Sequence, residues 1–384
     1  MTVLAFTNGQ ILLGDTTTEA ARFTLENGRI AAVDAAVDAA AGLPADAEPI
    51  DLAGGWLLPG FVDSQVNGGG GALLNNAITV AALETIARAH ARFGTTTLMP
   101  TLITDTPAAI SEALDVVDMA IAQGIPGIAG VHIEGPFINA ARKGIHDPAL
   151  IRRLDEDLLA QLCRPRRGKV MLTIAPEQVD PAALARLRAA GVIVSAGHTN
   201  ATFAQAQAGF SGGVTGVTHL FNAMSPLQHR APGMVGAALL DDAVWCGIIA
   251  DGVHVAAPAL EIALRMKGVD RLMLVTDAMP SVGMSDGSFL LNGRPIMVTN
   301  GVCQDENGTL AGSSLDMAGA VRNMVALTSA DVAMASRMAS RTPAAFLGLD
   351  AGIGTLSQGR RADMVWLDPA LQPVQCWIGG TTMI

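Results

Sequence analysis

Four apolar, β-branched stretches of this chain each stop on a residue that can bind a metal or carry a proton. Val131-His132-Ile133-Glu134 halts at Gly135-Pro136, and Ile193-Val194-Ser195-Ala196-Gly197 runs into His198. Val214 to Thr218 runs into His219, and Leu272-Met273-Leu274-Val275-Thr276 into Asp277. Glutamate is almost never fully buried without a partner or a metal. Imidazole and carboxylate together suit Zn²⁺ or Fe²⁺, and three protein ligands with open positions describe a catalytic centre. Glu134, His198 and His219 therefore read as metal ligands, with Asp277 beside them. A single histidine at a strand end is more often a hydrogen-bonded structural residue; two of them with a glutamate and an aspartate read as a cluster. Strand alternation puts His132 on the face of Glu134 but one layer deeper, behind the cluster or in the core. His90 falls in a helical pattern and reads as a surface residue.

Such a cluster needs strands that all end on one side. Strand patterns run over Trp56–Val66, Thr95–Pro100, 127–134, 169–175, 192–197, 214–219, Trp245–Ala250 and 271–277. Helical periodicity separates them at 79–93 (Thr79 as N-cap), 106–123, 181–190, 200–209 and 257–267, and continues at 315–328, 330–340 and 343–348. Eight strands alternating with helices predict an α/β chain with a (β/α)₈ TIM-like barrel, which carries its chemistry at the C-terminal strand ends. The flanks are different. Val3–Phe6, Gln10–Leu13, Arg22–Leu25 and Arg29–Val33 read as short strands, with Asn8-Gly9 and Asn27-Gly28 as hairpin turns. Residues 34–49 read as a loose connection. Residues 359–367 and Val374–Ile378 echo the first unit, and two isolated hairpins would be marginal alone. The expectation is a small accessory β-sandwich domain formed from both chain termini, 1–56 plus 350–384, around a catalytic barrel of 57–349.

The 384 residues suffice for one large core, and with 50% apolar and 15% charged residues the chain is neither disordered nor a coiled coil. A net charge of −11 argues against a general nucleic-acid or anionic-membrane partner, so an anionic substrate needs a local basic pocket. Cys163, Cys246, Cys303 and Cys376 form no C-x-x-C pair and read as reduced thiols. No cleavable leader pattern opens the chain and no apolar run reaches 18 residues, from which a cytoplasmic protein is expected.

The segments resemble, in order, those of the amidohydrolase superfamily, and within it the amino-sugar phosphate deacetylases. They are 59–68 (PGFVDSQVNG), 132–136 (HIEGP), 143–146 (KGIH), 195–198 (SAGH), 218–224 (THLFNAM), 249–254 (IADGVH), 275–278 (VTDA) and 310–315 (LAGSSL). One departure matters. The superfamily's usual His-x-His pair, which helps to hold a second metal, is replaced by Gln65-Val66-Asn67. Neutral amides are poor ligands beside imidazole, so one divalent metal per chain is expected, zinc in preference to iron. Gln65 and Asn67 then mark a vestigial second site, or only hydrogen-bond substrate or loop.

The resemblance implies hydrolysis of the acetamide of N-acetyl-D-glucosamine 6-phosphate to D-glucosamine 6-phosphate and acetate. A related substrate, N-acetylgalactosamine 6-phosphate, is the alternative, and a non-catalytic binding scaffold is a third reading against which the intact cluster weighs. Asp277 would take the proton of water and hand it to the leaving nitrogen. The resemblance gives His146 the oxyanion, though alone it reads equally as a loop histidine. It gives Asn222, Ala223, Arg230 and His254 the sugar phosphate, some across a homodimer interface. Arg suits phosphate through its planar fork, but Arg230 by itself reads as a solvated loop cation. Ser313 and Ser314 are expected to line the pocket.

Overall fold

The computed structural model describes residues 2–35, 43, 49–285 and 287–383; of the loose connection expected at 34–49, residues 36–42 and 44–48 lie outside them. Eight parallel strands follow one another in sequence order around the barrel: β1 Phe61–Val66, β2 Thr95–Ile103, β3 Gly130–Glu134, β4 Lys169–Ile174, β5 Ile193–Ala196, β6 Gly216–Val217, β7 Trp245–Ile248 and β8 Leu272–Leu274. They are near-continuous apolar runs, and all nine residues of β2 are buried, as expected of parallel strands covered on both faces. The ring closes beyond β8, where the Asp277 amide donates to the Gln65 carbonyl (3.0 Å) and the Asn67 and Gly68 amides donate to the Ala278 carbonyl (both 2.9 Å). Asp63 sits buried in this seam. It accepts hydrogen bonds from the Thr276 hydroxyl (2.5 Å) and from the backbone amides of Gln65 (3.1 Å) and Thr276 (3.4 Å).

Ten α-helices cover the described barrel. They are α1 Val80–Ala91, α2 Pro107–Ala122, α3 Glu156–Leu162, α4 Pro181–Ala189, α5 Phe203–Gly212, α6 Gly233–Leu240, α7 Ala257–Lys267, α8 Met317–Leu327, α9 Val332–Ala339 and α10 Arg341–Phe346. Their starts are chemically marked. Thr79, Thr106 and Thr202 accept amides of the first turns, and Thr202 with Gln205 forms a capping box. Leu83, Ile110, Leu114, Leu172, Val194 and Leu260 belong to the core between helices and strands. His90 corrects its expectation: it is wholly buried on α1, with Nε2 2.9 Å from the Gly68 carbonyl. It fits because residue 69 is glycine, where a Cβ would come within 2.9 Å of the ring.

The stretch Trp56–Val66, expected as one strand, is two strands in two sheets. Trp56–Pro59 pairs with Gln10–Leu13 and with Met364–Leu367, whereas β1 begins the barrel. Gly60 lies at the break, so close to β2 that a Cβ would meet Thr96 Oγ1 at 2.3 Å. The accessory unit has two sheets. One orders Arg29–Asp34, Ala21–Glu26, Thr2–Thr7 and Ile50–Asp51; the other orders Thr381–Thr382, Pro373–Ile378, Met364–Leu367, Trp56–Pro59, Gln10–Leu13 and Thr16–Thr18. Phe6 packs edge-on against Phe23 and Trp377, at 5.8 and 5.7 Å between ring centres.

Between β8 and α8 lies an element not expected from the sequence. It is a four-stranded antiparallel sheet of Gly287–Leu291, Arg294–Thr299, Val302–Gln304 and Leu310–Ser313. Its turns are Asn292-Gly293 and Asn300-Gly301, both with left-handed backbone at Asn and Gly. Its apolar face (Leu291, Ile296, Val298, Ala311) packs on Leu73, Ile103 and Met279.

Candidate active site

Each strand delivers its functional side chain at, or just beyond, its C-terminal end. Glu134 closes β3, His198 and His219 lie two residues past β5 and β6, and Asp277 lies three past β8. His198, His219 and Asp277 have φ of +47°, +35° and +51°. Left-handed backbone in non-glycine residues costs on the order of 1–3 kcal/mol each and persists only where the surroundings enforce it. The local hydrogen bonds do so: the Asn139 amide donates to the His198 carbonyl at 2.8 Å, and the Ser313 amide to the Asp277 carbonyl at 2.9 Å.

Three ligand atoms converge. His198 Nε2 and His219 Nε2 lie 3.2 and 3.0 Å from Glu134 Oε1 and 3.1 Å from each other. Ligands at 2.0–2.1 Å around a tetrahedral cation would stand about 3.3 Å apart. His198 Nδ1 donates to the Arg142 carbonyl at 2.9 Å, which fixes the tautomer. Its Nε2 lone pair thus faces a second imidazole nitrogen and a carboxylate oxygen, all buried, an arrangement that requires a proton or a cation between them. The charges respond to one another. Burial would raise Glu134, but His198 and His219 hold it well below the usual carboxylate range. Burial opposes the charge on His219, yet Glu134 outweighs it and raises that imidazole. The residues present fit a divalent cation.

Gln65 and Asn67 stand where the second metal ligands were considered, and both spend their amides on carboxylates. Gln65 Nε2 donates to Glu134 Oε1 and Asp277 Oδ1, each at 3.1 Å, and Asn67 Nδ2 donates to Asp277 Oδ1 at 2.7 Å. Burial, then the charge of Glu134, pushes Asp277 up to about 6. His146 is buried on the other side, its ring centre 4.2 Å from that of His198, with Nδ1 2.7 Å from Thr104 Oγ1. Burial and then His198 push it well below the usual histidine range, so it is a neutral imidazole. His254 Nδ1 donates to Asp251 Oδ2 at 2.6 Å. Beneath the cluster, His132 is bound in the barrel interior between Thr101 (3.1 Å) and Thr173 (2.7 Å).

These residues surround a cavity of about 360 Å³ lined by Asn67, Glu134, His146, His198, His219, Asn222, Ala223, His254 and Asp277. Gln65 supports it from behind. Arg230 is not among the lining residues. It is exposed and lines a neighbouring depression with Phe203 and Pro226. Arg142, a half-buried residue that the sequence reading passed over, lines both. Ser313 and Ser314 do not line the cavity either. Ser313 Oγ donates to the Thr276 carbonyl (2.5 Å) and Ser314 Oγ lies 2.6 Å from Ser281 Oγ, so both turn toward the seam. Their neighbours Thr309, Leu310 and Gly312 line it instead. Gly312, at φ +58°, leaves no room for a side chain, since a Cβ would meet the Asp277 carbonyl at 2.7 Å.

The amidohydrolase family profile matches residues 56–383. An N-acetylgalactosamine-6-phosphate deacetylase of Shewanella sp. (strain ANA-3) is 41% identical over 336 residues, 88% of this chain and 85% of that protein. The N-acetylglucosamine-6-phosphate deacetylase of Haemophilus influenzae is 36% identical over 334 residues, 86% of this chain and 87% of its own. Among solved structures, the Pasteurella multocida N-acetylglucosamine-6-phosphate deacetylase superposes with a TM-score of 0.94 at 32% identity, covering 99% of both chains.

Proposed function

Since the chain belongs to the amidohydrolase family, we propose that it hydrolyses the acetamide of N-acetyl-D-glucosamine 6-phosphate, giving D-glucosamine 6-phosphate and acetate. One divalent cation per chain, zinc in preference to iron, is held by Glu134, His198 and His219. The observation that carries this reading is the convergence of two Nε2 atoms on one Glu134 oxygen beside the doubly bonded Asp277. A cation bound there supplies Lewis acidity, acidifying water and polarising a carbonyl. Asp277 accepts both amides on Oδ1, which leaves Oδ2 to take a proton from water and return it to the departing nitrogen. His146 donates from Nε2 to the oxyanion, and as a neutral ring it does so only when Nδ1 accepts the Thr104 hydroxyl.

Asn222, Ala223 and His254 hold the sugar phosphate from the cavity wall, and Asp251 orients His254. Arg230, outside its own chain's cavity, reaches phosphate from the second subunit of a homodimer. A doubly charged sugar phosphate does not cross membranes unaided, which supports a cytoplasmic enzyme. No helix among the described residues is long and apolar enough to cross a membrane. N-Acetylgalactosamine 6-phosphate is the second reading, and the Shewanella relative favours it. The test is acetate release from each sugar phosphate alongside metal analysis of the purified protein. The expected result is turnover with close to one metal per chain. Acetate from neither substrate would overturn the reaction, and two tightly retained metals would overturn the single site.

A further inference from the structure

We propose that a second pocket, at the opposite end of the barrel, binds a small molecule carrying two or more linked phosphates. The pocket, about 320 Å³, is lined by Arg164, Arg166, Arg167 and Lys169, with Leu162 and Leu349 beside them. It opens where β4 begins, since Lys169 is the first residue of that strand, so the length of the barrel separates it from Glu134 and the other cluster residues. Four cations in six residues stand out in a chain of net charge −11.

Local acids do not neutralise the group. Arg166 pairs with Asp115 and lies 3.8 Å from Asp118, its side chain only 10% exposed. Its buried Nε has no acceptor. Asp118 is engaged with the loop backbone, accepting the Arg167 amide at 2.9 Å. The side chains of Arg164, Arg167 and Lys169 make no hydrogen bond or ion pair among the described residues. A favourable helix dipole at the end of α3 accounts for a cation at 164, but not for Arg167 or for Lys169, which belongs to a strand. Arg164 and Arg167 are exposed and Lys169 is half-buried, and an anion seated among three like charges would be attracted by all of them. A single phosphate leaves part of that charge uncompensated, whereas linked phosphates match it and accept the paired donors of arginine.

The experiment is calorimetric titration of the full chain, metal-loaded, with inorganic pyrophosphate, using orthophosphate as the comparison and checking metal content afterwards. Pyrophosphate should bind, and orthophosphate should bind roughly tenfold more weakly or worse. The double variant Arg164→Ala/Arg167→Ala should lose about tenfold or more in pyrophosphate affinity while retaining wild-type acetate release, which reports the fold. Three outcomes would overturn the proposal: no pyrophosphate binding to the wild type, undiminished binding to the double variant, or equal binding of the two anions.

Discussion

Thr104 has one hydroxyl proton and two acceptors within reach, His146 Nδ1 at 2.7 Å and the Glu134 carbonyl at 3.3 Å. Given to His146, that proton sets the tautomer that presents Nε2–H to the cavity, as the proposed oxyanion role requires. Thr104→Val removes that proton without changing size, so kcat should fall by about tenfold or more with KM little altered, and Thr104→Ser should restore it. A matching fall in both variants would make the residue merely structural. Asp277→Asn keeps the shape but cannot take a proton from water. It should lose about 10²–10⁴-fold in kcat with metal retained, and rescue by added zinc would reassign Asp277 as a ligand. Glu134, His198, His219 and Asp277 were legible because each ends an apolar run. Thr104 and Arg142 were not, because a threonine and a loop arginine carry no sequence signal until folding sets them against a histidine, and Asp251 stood in the 249–254 segment with no role of its own. Left-handed backbone at His198 and His219 was equally invisible: histidine adopts it more readily than most residues, but too rarely for the residue type alone to mark it.

The seam between β1 and β8 carries a carboxylate with no role in the chemistry. Burial pushes Asp63 up from 3.8 to about 7, despite the donors from Thr276 and Gln65. A carboxyl that holds its proton more tightly when folded stabilises the fold below its unfolded pKa, and that contribution is lost as pH rises through the folded value. The non-ionisable Asp63→Asn variant should therefore gain on wild type as pH rises from about 4 to about 7. The measurement is the difference in Tm, and a difference that stays constant over that range would refute the argument. Helix α7 matched its periodicity to the residue, and the other expected helices lie close to theirs. Helix α6 escaped because seven of its eight residues, all but Leu240, are buried, which erases the 3.6-residue alternation. The antiparallel sheet at 287–313 was signposted by Asn292-Gly293 and Asn300-Gly301, the same turn signal that located the N-terminal hairpins. Its strands are short, and Leu290 and Met297 are apolar on the exposed face, so the alternation was weak.

The role proposed for Arg230 would connect the site to assembly. If it reaches phosphate in a neighbouring subunit, Arg230→Ala and Asp277→Asn each disable a different half of the same composite site. Mixing the two under conditions of subunit exchange should restore about a quarter of wild-type activity at low substrate, because half of the dimers are mixed and each carries one intact site. No recovery would place Arg230 within its own chain's chemistry, or outside it altogether. Both ends of the polypeptide also interleave in the accessory unit. Met364–Leu367 lies between Pro373–Ile378 and Trp56–Pro59, and Arg29 donates to the Gly359 carbonyl across 330 residues of chain. A ribosome makes such a sheet in the wrong order. Phe6, Phe23 and Leu57 emerge early, and the Met364 and Trp377 that pack against them come last. The nascent chain therefore carries an uncovered apolar face through nearly the whole of its synthesis, and its dependence on chaperones should be set by the first sixty residues rather than by the barrel.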